Sequence, residues 1–174
     1  MTEVVLVNDQ DEAIGTMEKL EAHQKGELHR AFSIFIYNGR GEMLLQQRAM
    51  SKYHNGGLWT NACCSHPNPG EAIEAAASRR LKEELGFTAP IKKIFSFTYK
   101  AEFANGLTEY EFDHVFVGTY DGKINADPSE VMNVKYITQK QLQDDLKHSP
   151  AFFTAWFKIA LSKIDLYHTL GGNL

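Results

Sequence analysis

The segment PGEAIEAAASRRLKEELG, residues 69–86, constrains what this chain can fold into more than any other. Proline and acids at its start, strong helix formers throughout and Gly86 as a stop predict a helix. At about 100° per residue, with Ile73 at zero, Ala77 falls at about 40° and Leu81 at about 80°, which defines the buried stripe. Arg80, at about 340°, and Glu84, at about 20°, lie inside that stripe and not on the solvent side. Two readings fit. One is an i,i+4 salt bridge at the edge of the core. The other is a carboxylate presenting oxygen to a hard metal, with a guanidinium beside it for phosphate. Burying two charges without such a further partner is costly.

Around this helix, strand-like and helical runs alternate. EVVLV (3–7) predicts a short strand, and MEKLEAHQKGELHR starts as a helix that breaks at Gly26. AFSIFIYN (31–38) and EMLLQQRA (42–49) predict a hairpin through the Gly39–Gly41 turn. Further strand-like runs cover 91–100, 110–120 and 131–137, and two helices follow at 139–147 and 150–168. This mixture predicts an α/β (α+β) architecture, a sheet covered on both faces by helices. No repeat or linker divides the 174 residues, so one domain over 1–174 is expected, with the tail beyond Leu166 (ending GGNL) fraying. The net charge of −4 argues against a nucleic-acid partner, so an anionic ligand must be met by a few local Lys or Arg residues or by a metal. The start of the chain carries acids where a signal peptide needs bases, and its apolar run is too short for a membrane span. Two unpaired cysteines fit a reducing compartment, and a cytoplasmic location is expected.

The chemistry-bearing residues fall outside the helix as well. In WTNACCSHP (59–67), Trp59 and Thr60 read as a strand end, and Pro67 places Cys64 and His66 at a turn. Adjacent cysteines are poorly placed for a disulfide, and a zinc site would need a second cysteine pair that the chain lacks. They are either buried filler or a thiol kept for chemistry. In GLTEYEFDHVF, alternation puts Glu109, Glu111 and Asp113 on one face. That acidic face reads first as solvated, although two glutamates two apart can share a metal or split ligand and acid/base roles. His23 and His29 flank Gly26 and could converge only through a loop. Together with His66, Glu109 and Glu111 they make a suitable ligand inventory for a transition metal.

The run Ser65-x5-Glu71-x7-Arg79-Arg80-Leu81-x-Glu83-Glu84-x-Gly86-Phe87 resembles the Nudix box, G-x5-E-x7-R-E-U-x-E-E-x-G-U, where U is a large aliphatic residue. Ser65 stands for the first Gly and Arg80 for the Glu after the Arg. These departures, together with EKLEAH (18–23), LHRAFS (28–33), RAMSK (48–52), WTNACCSHP, TEYEFDHVF (108–116) and AWF (155–157), resemble the type 1 isopentenyl diphosphate isomerases. The resemblance spans most of the chain, from about Leu6 to Trp156. It implies a Nudix-like α/β/α sandwich with a mixed central sheet.

It also implies an allylic 1,3 proton shift between isopentenyl and dimethylallyl diphosphate, run from opposite sides of the alkene. A divalent ion (Mn2+, Zn2+ or Mg2+) would fall on His23, His29, His66, Glu109 and Glu111. Mg2+ would bridge the diphosphate to Glu84, with the backbone carbonyl of Cys64 nearby. Diphosphate contacts would carry over to Lys19, Arg48, Lys52 and Arg80. Cys64 and Glu111 would move the protons, with Tyr99 beside Glu111. Trp156 would face the cation, although a core tryptophan reads equally well from the residues alone. No flavin or nicotinamide is implied, and the protein would be a monomer or homodimer. The alternatives are a Nudix pyrophosphohydrolase and, from another class, a non-catalytic binding module or structural zinc protein. Arg80 and Cys64 count against hydrolysis.

Overall fold

The computed structural model describes residues 2–52 and 55–170. Nine strands form one mixed sheet: β1 (Glu3–Val7), β2 (Ala13–Glu18), β3 (His29–Tyr37), β4 (Met43–Arg48), β5 (Trp59–Thr60), β6 (Cys63–Ser65), β7 (Ile91–Glu102), β8 (Thr108–Thr119) and β9 (Val131–Ile137). Four helices join them: α1 (Lys19–Lys25), α2 (Ile73–Leu85), α3 (Gln139–His148) and α4 (Ala155–Thr169).

The sheet is organised around β3. One edge of β3 runs parallel to β8 along its whole length, from His29 opposite Glu111 to Tyr37 opposite Thr119. Its other edge is therefore shared in turn by β1 at His29, β6 at Phe32–Ile34 and β4 at Tyr37. β7 adds antiparallel to β8, while β9 and β5 add to β4. The hairpin expected through Gly39–Gly41 exists only at its turn, where Tyr37 meets Met43. Beyond that pair the two strands diverge to partners distant in sequence, β3 to β6 and β4 to β9.

Alternation sorts the core into two layers. Phe32, Ile34, Ile36, Leu44, Cys63 and Phe116 face α2, whose Ala76, Ala77, Leu81 and Leu85 are fully buried. Phe35, Met43, Leu45, Val115 and Val117 face the opposite way, against Leu142 of α3 and Trp156, Phe157, Ala160 and Ile164 of α4. Helices cover both faces, as the expected sandwich requires.

Several elements differ from the sequence reading. β2 carries no strand signal in the sequence: its residues are mostly exposed and, among the described residues, pair with β1, so no apolar alternation marks it. α2 begins at Ile73, because Pro69 and Gly70 form a turn, with Gly70 at φ 78°, and Ala72 before the helix is extended. The last predicted helix is a short 3-10 turn at Pro150–Phe152 followed by α4, which runs past Leu166 to Thr169. Residues 171–174 of the tail lie outside the described residues. Among the described residues, no helix is long and apolar enough to cross a membrane.

Candidate active site

Gly26 is the hinge that brings the histidines together. It caps α1 at φ 65°, a conformation glycine adopts without steric cost, and turns the chain into β3. His23 at the end of α1 and His29 at the start of β3 then lie with ring centroids 4.8 Å apart. His66, just past β6, comes within 5.0 Å of His29. Ligand atoms of His23, His29, His66 and Glu111 all lie within 4.8 Å of one another.

The hydrogen bonds decide which nitrogens face inward. His23 Nδ1 bonds the Lys19 carbonyl at 2.5 Å, and His29 Nδ1 bonds the Glu27 carbonyl at 2.8 Å. A carbonyl only accepts, so each Nδ1 carries the hydrogen and each Nε2 is the atom turned towards the carboxylates. His29 Nε2 is buried with no hydrogen-bond partner among the described residues, 3.6 Å from Glu111 Oε1. A buried orphan acceptor is costly unless something fills its lone pair. Glu109 Oε2 lies 3.2 Å from His23 Nε2, and His66 Nε2 lies 2.9 Å from Glu111 Oε1. The donor set of imidazoles and carboxylates suits a divalent transition metal. Burial pushes His66 down to about 3, which keeps it neutral and available as a ligand. The acidic face of β8 is thus not solvated: Glu109, Glu111 and Asp113 are 4%, 8% and 1% exposed.

Cys64 sits on a strand and not at a turn. Because β6 alternates, Cys63 points into the α2 core and Cys64 to the opposite face, beside Ser33 of β3. This answers the adjacent-cysteine question: one is filler and the other lines a slot. That slot holds about 40 Å³ between Cys64, Tyr99, Glu111, Trp156, Lys19 and Arg48. Cys64 and Glu111 project from the same face of the sheet, on strands that flank β3 on either side. Opposite walls of the slot are therefore opposite flanks of one strand, not opposite layers. Burial, reinforced by Asp113, pushes the Cys64 thiol up to about 12, so it holds its proton. Burial raises the Glu111 carboxyl too, but the contacts from His29 and His66 outweigh it and hold the group well below the usual range. Tyr99 donates to Glu111 Oε2 at 2.6 Å, and burial lifts its phenol well above the ordinary value.

A second cluster lies on the α2 side. Glu84, 5% exposed, accepts from Arg80 Nη2 at 2.6 Å and from Gln46 Nε2 at 2.9 Å. The i,i+4 pair of the first reading forms, and Gln46 and Glu130 add further partners beside it. Arg80 also meets Glu83 and, at 3.5 Å, Glu130, which pairs with Lys52. Arg80 Nε is buried with no hydrogen-bond partner among the described residues. Arg48 lies 5.2 Å over the Trp156 ring at the slot. Sequence reading missed Gln46 and Glu130, which carry no motif signal; the pairing of β4 with β9 brings them here.

The architecture and this box-bearing α2 define a Nudix protein, and residues 27–157 match the NUDIX domain family. The fold also matches solved structures of a Deinococcus radiodurans protein (TM-score 0.70, 20% identity, covering 84% of this chain and 90% of that one) and the MutT protein of Methanosarcina mazei (TM-score 0.65, 20%, 81% and 95%). Among sequences, the chain is 50% identical to the isopentenyl-diphosphate Delta-isomerase 2 of Photorhabdus laumondii, over 89% of this chain and 88% of that one. It is 51% identical to the isopentenyl-diphosphate Delta-isomerase of Serratia proteamaculans, over 88% and 86%. Within the Nudix proteins, the chain belongs to the isopentenyl-diphosphate Delta-isomerase family.

Proposed function

We propose that this protein is an isopentenyl-diphosphate Delta-isomerase, interconverting isopentenyl and dimethylallyl diphosphate by moving a proton across a three-carbon unit. The observation that carries the reading is one slot lined by a protonated thiol, Cys64, and by a carboxylate, Glu111, hydrogen-bonded to a phenol. The alkene carbon has no lone pair, so it needs a positioned acid, and the cation formed needs a base at its other end. In one direction Cys64 gives up its proton while Glu111, through Tyr99, takes one; in reverse the roles exchange. The indole face of Trp156 stabilises the tertiary cation by about 2 kcal/mol when desolvated.

The hydrocarbon end is small, so binding energy comes from the diphosphate. Lys19, Arg48, Lys52 and Arg80 supply the positive charge, and that energy is used to orient the five carbons. His23, His29, His66, Glu109 and Glu111 would hold a divalent ion, Mn2+ or Zn2+, which supplies positive charge that keeps Glu111 ionised and oriented. Glu84, with the Cys64 carbonyl, would hold Mg2+ with the diphosphate. Arg80, standing where a hydrolytic Nudix box has glutamate, pairs with Glu84 and removes one carboxylate from the metal-binding set. We place the enzyme in the cytoplasm as one domain, needing neither flavin nor nicotinamide.

The test is incubation with isopentenyl diphosphate in deuterated water with and without a divalent cation. Deuterium in the dimethylallyl product, dependent on the cation, is the expected result. Phosphate release from nucleotides with no exchange into isopentenyl diphosphate would overturn the reading.

A further inference from the structure

Cys64 and Trp156 lie on different elements, yet one run of hydrogen bonds joins them. Trp156 Nε1 donates to Thr60 Oγ1 at 3.0 Å, and Thr60 Oγ1 lies 3.0 Å from Asn61 Oδ1. The same Asn61 oxygen accepts the Cys64 thiol at 3.0 Å. Thr60 and Asn61 are 1% and 0% exposed, so water does not compete for these contacts.

Chemistry fixes the direction of each bond. Asn61 Nδ2 donates to the carbonyls of Ile34 and Cys63, both at 3.0 Å. Carbonyls only accept, so the amide cannot be flipped, and its oxygen must be the atom facing Thr60 and Cys64. That oxygen receives the Thr60 hydroxyl hydrogen and the thiol hydrogen. An indole N–H only donates, so Thr60 must accept from Trp156 with a lone pair. Thr154, which caps α4, closes the arrangement: its hydroxyl is 3.0 Å from Thr60 Oγ1, and its backbone N–H donates to the Trp59 carbonyl at 3.0 Å. Two adjacent residues from β5 onward thus anchor the start of α4 on one side and the thiol on the other.

We propose that Thr60 and Asn61 are positioning residues that hold the Cys64 thiol and the Trp156 indole in one fixed relation. This rests on the isomerase reading above. Proton transfer to carbon tolerates little misplacement, and the indole must face the cation as it forms, so acid and ring have to be set together. A dipeptide bonded to both accomplishes that without a residue of its own in the slot.

The test uses the full chain carrying Cys63→Ala, which leaves one thiol to observe. Thr60→Val keeps the shape and removes the hydroxyl. The expected result is a kcat lowered roughly tenfold with little change in KM, the value of one buried hydrogen bond. The infrared S–H band of Cys64 and the indole N–H resonance of Trp156 should both shift, and Thr60→Ser should restore all three readouts. Unchanged kcat, or an S–H band that stays in place in Thr60→Val, overturns the proposal. If Thr60→Val does not fold, Trp156→Phe serves: it removes the indole donor to Thr60, so its S–H band must shift, and an unmoved band overturns the coupling. Failure of the parent protein to isomerise would overturn the functional reading instead, while the spectra still judge the bridge.

Discussion

Tyr99→Phe isolates the part of the site that does not bind phosphate. The Tyr99 hydroxyl donates to Glu111 Oε2 at 2.6 Å, and the two residues are 7% and 8% exposed. The other carboxylate oxygen, Oε1, is the one that meets His66 at 2.9 Å and His29 at 3.6 Å. Removing the phenol oxygen therefore strips Oε2 of its partner and leaves Oε1 held. A hydrogen bond to a charged group is worth about 1.5–3 kcal/mol, equivalent to a fall of roughly 10- to 150-fold in kcat if the bond acts on the proton in flight. KM should change by less than about twofold, since the hydroxyl's partner is Glu111 and not one of the cations proposed to hold the diphosphate. The ring itself keeps its packing against Phe97, with centroids 5.8 Å apart, so thermal melting should stay close to wild type. Steady-state isomerisation kinetics and a circular-dichroism melt on the same sample make the measurement. A kcat within about twofold of wild type would refute the relay through Tyr99. A large fall in melting temperature would instead show that the hydroxyl serves the core.

Three further outcomes follow from the same geometry. Cys64→Ala and Glu111→Gln should each remove nearly all turnover with the fold intact, whereas Cys63→Ala, altered only in the α2 core, should keep most activity; the reverse pattern would overturn the face assignment. In Glu84→Gln, an amide nitrogen must face Arg80 or Gln46, both donors, so KM should rise roughly tenfold or more and the magnesium dependence should weaken; unchanged magnesium titrations would refute it. His114 is buried, and burial with Lys93 lowers it from 6.5 to about 4 against the pull of Asp11. A depressed pKa means the unfolded chain binds the proton first, so stability present above pH 6.5 should be lost as pH falls towards 4. His114→Gln should flatten that part of the melting-temperature profile; an equally steep fall in the variant would place the acid sensitivity elsewhere.

How much of this was legible in the chain depends on whether the information was local. α2 and its two misplaced charges could be read because a helix encodes its own facing through a 3.6-residue period. Glu84 duly lies 5% exposed beside Arg80. The limits of β9, Val131–Ile137, match the strand-like run in the sequence, VMNVKYI. The acidic face of β8 could be seen as a face but not as buried, because what meets it is distant in sequence: His23 of α1 is 86 residues from Glu109 and His66 is 45 from Glu111. Cys64 looked like a turn residue because β6 is three residues long and its partner, Phe32–Ile34, is far off in sequence.

Strand parity explains why the site nevertheless emerges whole. Within a strand, alternation says only which residues share a face; register across strands says which faces are shared. Once His29 is opposite Glu111 and Ser33 opposite Cys64, parity alone puts His29, Ser33, Cys64, Glu109, Glu111 and Asp113 on one side of the sheet. Tyr99 joins them through its pairing with Glu111. A slip of one residue between β3 and β6 would exchange Cys63 and Cys64, burying the reactive thiol under α2 and sending its neighbour into the slot. The Asn61 amide, bonded to the Ile34 carbonyl on β3 and the Cys63 carbonyl on β6, ties those two strands at the pair where they meet. The residue proposed to aim the thiol is thus also placed to fix which of the two cysteines is aimed.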